Sequence, residues 1–214
     1  MKIRCLEKLS DIIDADMSWR RKELTDVRFL VDSADDRRLN ASIRQAVLLL
    51  YAHWEGFVKN CAGYYLNYIG FQKIRFKELP LNLMALVLRQ ELRSGEDSGK
   101  IQLHMKAVEK ILTDGDRIVT IPSINQINAE SNLKYAVFEG ILLTLGLDDQ
   151  GYCLKENLID EQLLKRRNSI AHGENVLMSK MDYMALHDEI LAMLNLFKTD
   201  VENSACLQLY KKAV

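Results

Sequence analysis

An arginine, an amide and a histidine fall within six residues in Arg167-Asn168-Ser169-Ile170-Ala171-His172, and Gly173 follows directly. Histidine exchanges a proton near neutral pH, whereas arginine keeps its charge and presents a planar fork of donors that matches a phosphate. Proton transfer on one group and anion binding on the other are the two functions needed to cleave a phosphodiester without a metal. The rest of the chain offers no better candidate for chemistry.

Arg167 and His172 stand five positions apart, about 140° around an ideal helix, so a straight helix would not aim both at one atom. Gly173 and the polar Glu174-Asn175 beyond it predict that the helix ends here, and side chains at a helix end converge without sharing one stripe. Asn168 lies four positions before His172 and shares its face if the turn persists. From there it could fix the imidazole tautomer or bind a ribose or phosphate. Ile170 and Ala171 read as the inward anchors. Plainer readings stand beside these. A histidine at a helix C-terminus interacts favourably with the carbonyl end, and Arg166 and Arg167 could simply be solvated or pair with Glu161 and Glu174. Arg-x4-His is a common accident, and spacing alone leaves both readings open.

The elements that must position this segment are helical. Apolar positions three or four apart over about 1–32 predict a first long helix. The acidic-basic run 32–38 predicts a turn, and a second helix follows over about 39–68. Its middle, from Ile43 through Phe57, is apolar nearly all round, which marks it as the central helix of a bundle. A basic linker, Pro80 and a shorter helix from near Leu81 come next, then a polar loop at 94–99 and an amphipathic helix over about 100–112. A turn at 114–116 and a short extended piece at 118–121 lead to Pro122. Helices over about 132–145, 160–170 and 180–198 complete the chain, the first stopped by Gly146 and the last two capped by Asp160 and Ser179. These elements make a single domain of 1–214, with 71–130 as an elaboration.

Composition bounds the function. Hydrophobic residues make up 48% and charged residues 28%, an ordinary globular balance rather than a disordered one. With 29 basic and 30 acidic side chains the formal charge is -1, so the global positive field of a nucleic-acid coating protein is missing, although a local basic patch would suffice for catalysis. The N-terminus does not read as a secretory signal, and the longest apolar run, 46–52, is far too short for a membrane span. Cys5, Cys61, Cys153 and Cys206 lack paired zinc-site spacing and read as reduced thiols of a cytoplasmic protein, with Cys61 in the core. No metal cluster, cofactor motif or glycine-rich phosphate loop is expected.

Arg167-Asn168-Ser169-Ile170-Ala171-His172 resembles the Arg-Asn-x3-His signature of the HEPN superfamily. Arg44-Gln45-Ala46 followed by 50–59 (Leu-Tyr-Ala-His-Trp-Glu-Gly-Phe-Val-Lys), and Ser131-Asn132-Leu133 leading to Leu145-Gly146-Leu147-Asp148, are similar to the bacterial HEPN-like group related to the RiboL-PSP and MAE types. The likeness spans about 40–198. It implies an all-α, up-and-down HEPN-type bundle with the elaboration between its central and later helices. It also implies a homodimer with two motifs beside one cleft, and a metal-independent endoribonuclease that acts as a toxin or anti-phage effector. Arg167 and His172 would be the essential pair, assisted by Asn168. An antitoxin or regulatory protein is a possible partner, and some members are inactive modules that only bind RNA or a partner protein. A third class, a nucleotide-handling domain paired with a separately encoded enzyme, has no phosphate loop or acidic metal cluster to support independent chemistry.

Other residues take second place. Glu55 is expected to orient Arg167 and His172, against an equally plausible structural hydrogen bond. His53 is a weaker candidate for the same surroundings, since helix neighbours point different ways. His104 and His187 read as surface or boundary residues. Of the basic clusters, Lys165-Arg166-Arg167 is the best RNA track because it adjoins the motif, with Arg166 the leading contact and Lys165 beside it. Each such cluster taken alone is a normal solvated face.

Overall fold

A computed structural model of the chain describes residues 2–98, 101–122 and 132–212. It is all-α, with no strand among the described residues, only an isolated antiparallel bridge between Arg75 and Ile118. Helix α1 (Leu6–Asp32) buries Leu9, Ile13, Met17, Leu24, Val27 and Val31 at helical spacing. A short turn follows, and Asp35 accepts the Arg38 N–H at 3.0 Å to cap α2 (Asp36–Phe71).

At 36 residues α2 is about 54 Å long. It is buried over most of its circumference and packs against α1 and against α7 (Lys180–Cys206), which also touch each other. Ser179 caps α7 by accepting the Asp182 N–H at 3.1 Å. Helix α3 (Leu81–Ser98) packs on α4 (Ile101–Thr113) and on α5 (Tyr135–Leu145). Gly146, with φ of 70°, ends α5 in the left-handed conformation that glycine adopts without strain. From α5, Phe138 enters an aromatic core, its ring centroid 4.9 Å from Trp54, 5.0 Å from Tyr152 and 5.8 Å from Phe197. Cys61 lies in the same core, and burial pushes its thiol well above its ordinary range.

Several expected boundaries shift. The turn after α1 is shorter than 32–38, because Asp35 caps α2 and recruits its first turn three residues early. Both α2 and α7 run past their expected ends, to Phe71 and Cys206. The expected loop at 94–99 is helical as far as Ser98, since a serine or glycine costs a helix only about 0.5–1 kcal/mol and a continuing helix absorbs it. Gly99 of that loop, residues 123–130 of the elaboration and Ser131 of the family-like segment lie outside the described residues. Among the described residues no helix is long and apolar enough to cross a membrane.

Phe138→Ala would leave a void between α2, α5 and α7, so we expect it to cost about 3–5 kcal/mol of folding stability in chemical denaturation. A loss under about 1 kcal/mol would mean that these helices do not share one core.

Candidate functional site

The motif rides on a helix with a widened start. Residues Leu158–Lys165 form a π-helix that runs directly into α6 (Arg166–Ala171). Its buried residues are Leu158, Ile159, Leu163 and Leu164, a spacing of five that suits the wider π turn rather than an α turn. Asp160 does not cap this helix, as the sequence suggested. Instead its carboxylate accepts the Tyr135 N–H at 2.7 Å and caps α5 across the interface. The extra width of the π turn resets the rotation at which α6 begins. The segment ends as expected, with Gly173 at φ of 84° and the His172 N–H donating to the Asn168 carbonyl at 2.9 Å.

Arg167 projects from α6 onto α2. Its guanidinium lies 4.0 Å from the centroid of the Tyr51 ring, so one flat face is covered. Its Nη1 donates to Asn168 Oδ1 at 2.7 Å, and its Nη2 stands 3.8 Å from Glu55 Oε2. The other Glu55 oxygen takes the Lys59 ammonium. The side chains of Arg167 and Glu55 are 25% and 18% exposed, so their attraction is less screened than that of a surface pair. Tyr51 is itself anchored, accepting the Leu133 N–H at 2.8 Å, and burial pushes its phenol up to about 12. A guanidinium clamped on one face and one edge still has donors left for an incoming anion.

The remaining expected residues fall in different places. Glu55 stands beside Arg167. The Asn168 amide oxygen is occupied by Arg167, not by His172, so the expectation that it fixes the histidine tautomer is not met. His172 is exposed at the end of α6, and its ring has no hydrogen-bond or ion-pair partner among the described residues. Arg166 turns away from Arg167 toward Met178 Sδ at 3.9 Å, lining a cleft of about 400 Å³ with Asp36, Asn40, Leu177, Ser179 and Asp182. Lys165 is exposed and pairs with Glu161 at 2.6 Å. Tyr51 was missed as a site residue. The signal was its spacing of four from Glu55, which puts both on one face of α2.

His53 is not at this site. It lies two residues from Glu55, about 200° around the helix, and faces α1. There Arg20 and Asp16 form a buried pair at 3.1 Å. The Arg20 Nη1 stands 3.4 Å from both His53 Nδ1 and the His53 carbonyl oxygen. Trp19 Nε1 donates to Asp16 at 2.9 Å, and Asn60 donates to its other oxygen at 3.3 Å. His53 Nε2 lies 2.7 Å from Glu23 Oε2, at the half-exposed edge of this network. Gly56 makes room for the network, because a Cβ there would meet Arg20 Nη1 at 2.9 Å. His187 is also corrected. It is buried between α1 and α7 against Arg28 at 3.0 Å, since its turn of α7 faces the core and not solvent.

Burial, reinforced by the Arg20 charge, holds His53 below its ordinary pKa of 6.5, against the pull of Glu23. Above that pH the imidazole is neutral in both states. As pH falls below it, the unfolded chain takes up the proton first and folding stability drops until the native ring titrates as well. We therefore expect His53→Gln to flatten the stability loss seen in denaturation curves between about pH 7 and pH 5, where wild type steepens. Equal slopes for the two proteins would refute this account of His53.

The model of the RiboL-PSP-HEPN family matches residues 15–203, which takes in all of α2, the Arg167–His172 segment and most of α1 and α7. No curated protein and no solved structure matches the chain. A family match over this span, on an all-α bundle that carries the Arg-Asn-x3-His segment against its central helix, fixes the assignment. The chain belongs to the RiboL-PSP type of the HEPN superfamily and is a nuclease-like or RNA-related module.

Proposed function

We propose that the protein is a metal-independent endoribonuclease. The observation that carries this reading is the clamped but unsaturated Arg167 guanidinium, five residues before a histidine whose ring is exposed and unengaged.

His172 takes the proton from a ribose 2′-hydroxyl, and that oxygen attacks the adjacent phosphorus. Arg167 donates to the non-bridging oxygens and stabilises the charge that builds on them. The bond to the 5′-oxygen breaks, leaving a 2′,3′-cyclic phosphate. The leaving oxygen is protonated by His172 of a second copy or by solvent. Requiring the 2′-hydroxyl restricts the reaction to RNA. Glu55 and Tyr51 act on Arg167, fixing the plane and direction of the fork, and Asn168 holds its Nη1. Arg166 and Lys165 adjoin this segment and contact the RNA strand by releasing Met178 and Glu161. The protein works as a homodimer with two motifs beside one cleft, in a toxin or anti-phage role that an antitoxin or regulatory protein restrains.

Cleavage of cellular RNA in EDTA tests this directly. Wild type is expected to give discrete fragments, and Arg167→Ala and His172→Ala to lose about a hundredfold or more in rate while remaining folded. Equal cleavage by all three would remove these residues from the active site. Silence from a dimeric wild type would instead favour a non-catalytic module that binds RNA or a partner protein.

Glu55→Gln keeps the shape but not the charge beside Arg167. We expect kcat to fall by about tenfold to a hundredfold, as for a misaligned group, with melting temperature little changed. An unaltered kcat would show that Glu55 does not set the fork.

A further inference from the structure

We infer that Arg44 is a second phosphate-binding residue of the same cleft, holding the phosphate next to the one being cut. This rests on the ribonuclease reading and adds a contact to it.

The placement follows from two pairs of contacts. Arg167 meets Tyr51 and Glu55, whereas Asn175, further along the chain, meets Asn40 at 3.3 Å. The segment from α6 into the following loop therefore runs antiparallel to α2. Arg44 lies between those two contact points, at the level of the turn that carries His172. It also shares the stripe. Arg44 is four positions from Asn40, seven from Tyr51 and eleven from Glu55, spacings that keep all four within about 60° around the helix. Tyr51 and Arg44 are about 10 Å apart along the axis, which suits a neighbouring phosphate better than the scissile one.

The state of its side chain points the same way. Arg20 is matched by Asp16, Arg28 by Asp188 and Arg167 by Glu55. Arg44 is partly buried on the central helix, yet among the described residues it has no hydrogen-bond or ion-pair partner. A partly buried arginine without a carboxylate partner, on the stripe of α2 along which the His172 segment runs, has its donors free for an anion from outside. Asn40 and Tyr51 flank it with no carboxylate. Of the acidic groups on this side of α2, Glu55 is shared between Lys59 and Arg167, and Asp36 lies eight positions away, about 12 Å along the axis.

The test is equilibrium binding of a fluorescein-labelled oligouridylate to full-length His172→Ala protein, measured across a range of salt. Each phosphate contact to a single strand adds about 0.7 to the slope of log K against log salt. Adding Arg44→Ala should make the slope shallower by about 0.7, and Arg44→Lys should restore it. Arg44→Gln, which keeps the length of the packed stem, should match the alanine variant, so a folding defect in either is recognised. In the active background Arg44→Ala should raise KM more than it lowers kcat. An unchanged slope, or a loss of affinity by the same factor at every salt concentration, would overturn the assignment and leave the ribonuclease reading intact. If the parent protein binds no RNA at any salt, both readings fall.

Discussion

Helix α2 is buried around most of its circumference, and this constraint organises the rest of the molecule. A helix in that position has few directions in which a polar side chain can point without a matched partner. His53, Trp54, Glu55 and Gly56 are consecutive, so each is turned about 100° from the last and meets a different neighbour. His53 faces the Arg20 network of α1. Trp54 packs on Phe138, Glu55 reaches Arg167, and Gly56 leaves the space that Arg20 fills. Rotating or sliding α2 would break all four contacts together, so its setting is defined to within a fraction of a turn.

The site inherits that precision through Tyr51. Its ring supports Arg167, and its hydroxyl is tied to the Leu133 N–H just before α5. The start of α5 is in turn capped by Asp160 from the π-helix that leads into α6. The support and the group it supports are thus linked through α2, α5 and the π-helix by a few polar bonds at one end of the bundle. Strain need not be invoked. The wide π turn gives α6 a rotation that the regular spacing of its apolar residues could not supply.

The histidines divide along the same lines. His53 and His187 are buried and engaged with arginines between helices, and for His53 burial disfavours the charged ring. His172 sits at a helix end, exposed and without a partner. The buried Arg20–Asp16 pair lies within α1 and reaches α2 through His53 and Asn60, so removing either partner would leave an uncompensated buried charge. An exposed, unengaged imidazole contributes little to packing or stability. Its value lies in being reachable.

Much of this was legible along the chain. The apolar periodicity marked α1, α2 and α7, Gly146 and Gly173 marked the ends of α5 and α6, and Ser179 marked the start of α7. All of these are properties of one helix and its own backbone, decided by local spacing, capping and the φ that glycine allows. The residues Arg167, Asn168, His172 and Glu55 were equally visible by type. What the chain could not show was how separate helices are rotated against one another. Only the tertiary structure decided that Asp160 caps α5, that Tyr51 carries Arg167, that Asn168 serves the arginine and not the histidine, and that His53 faces α1 while Glu55 faces α6. Each of those outcomes depends on the angle at which two helices meet, and that angle is set by the packing of the whole core.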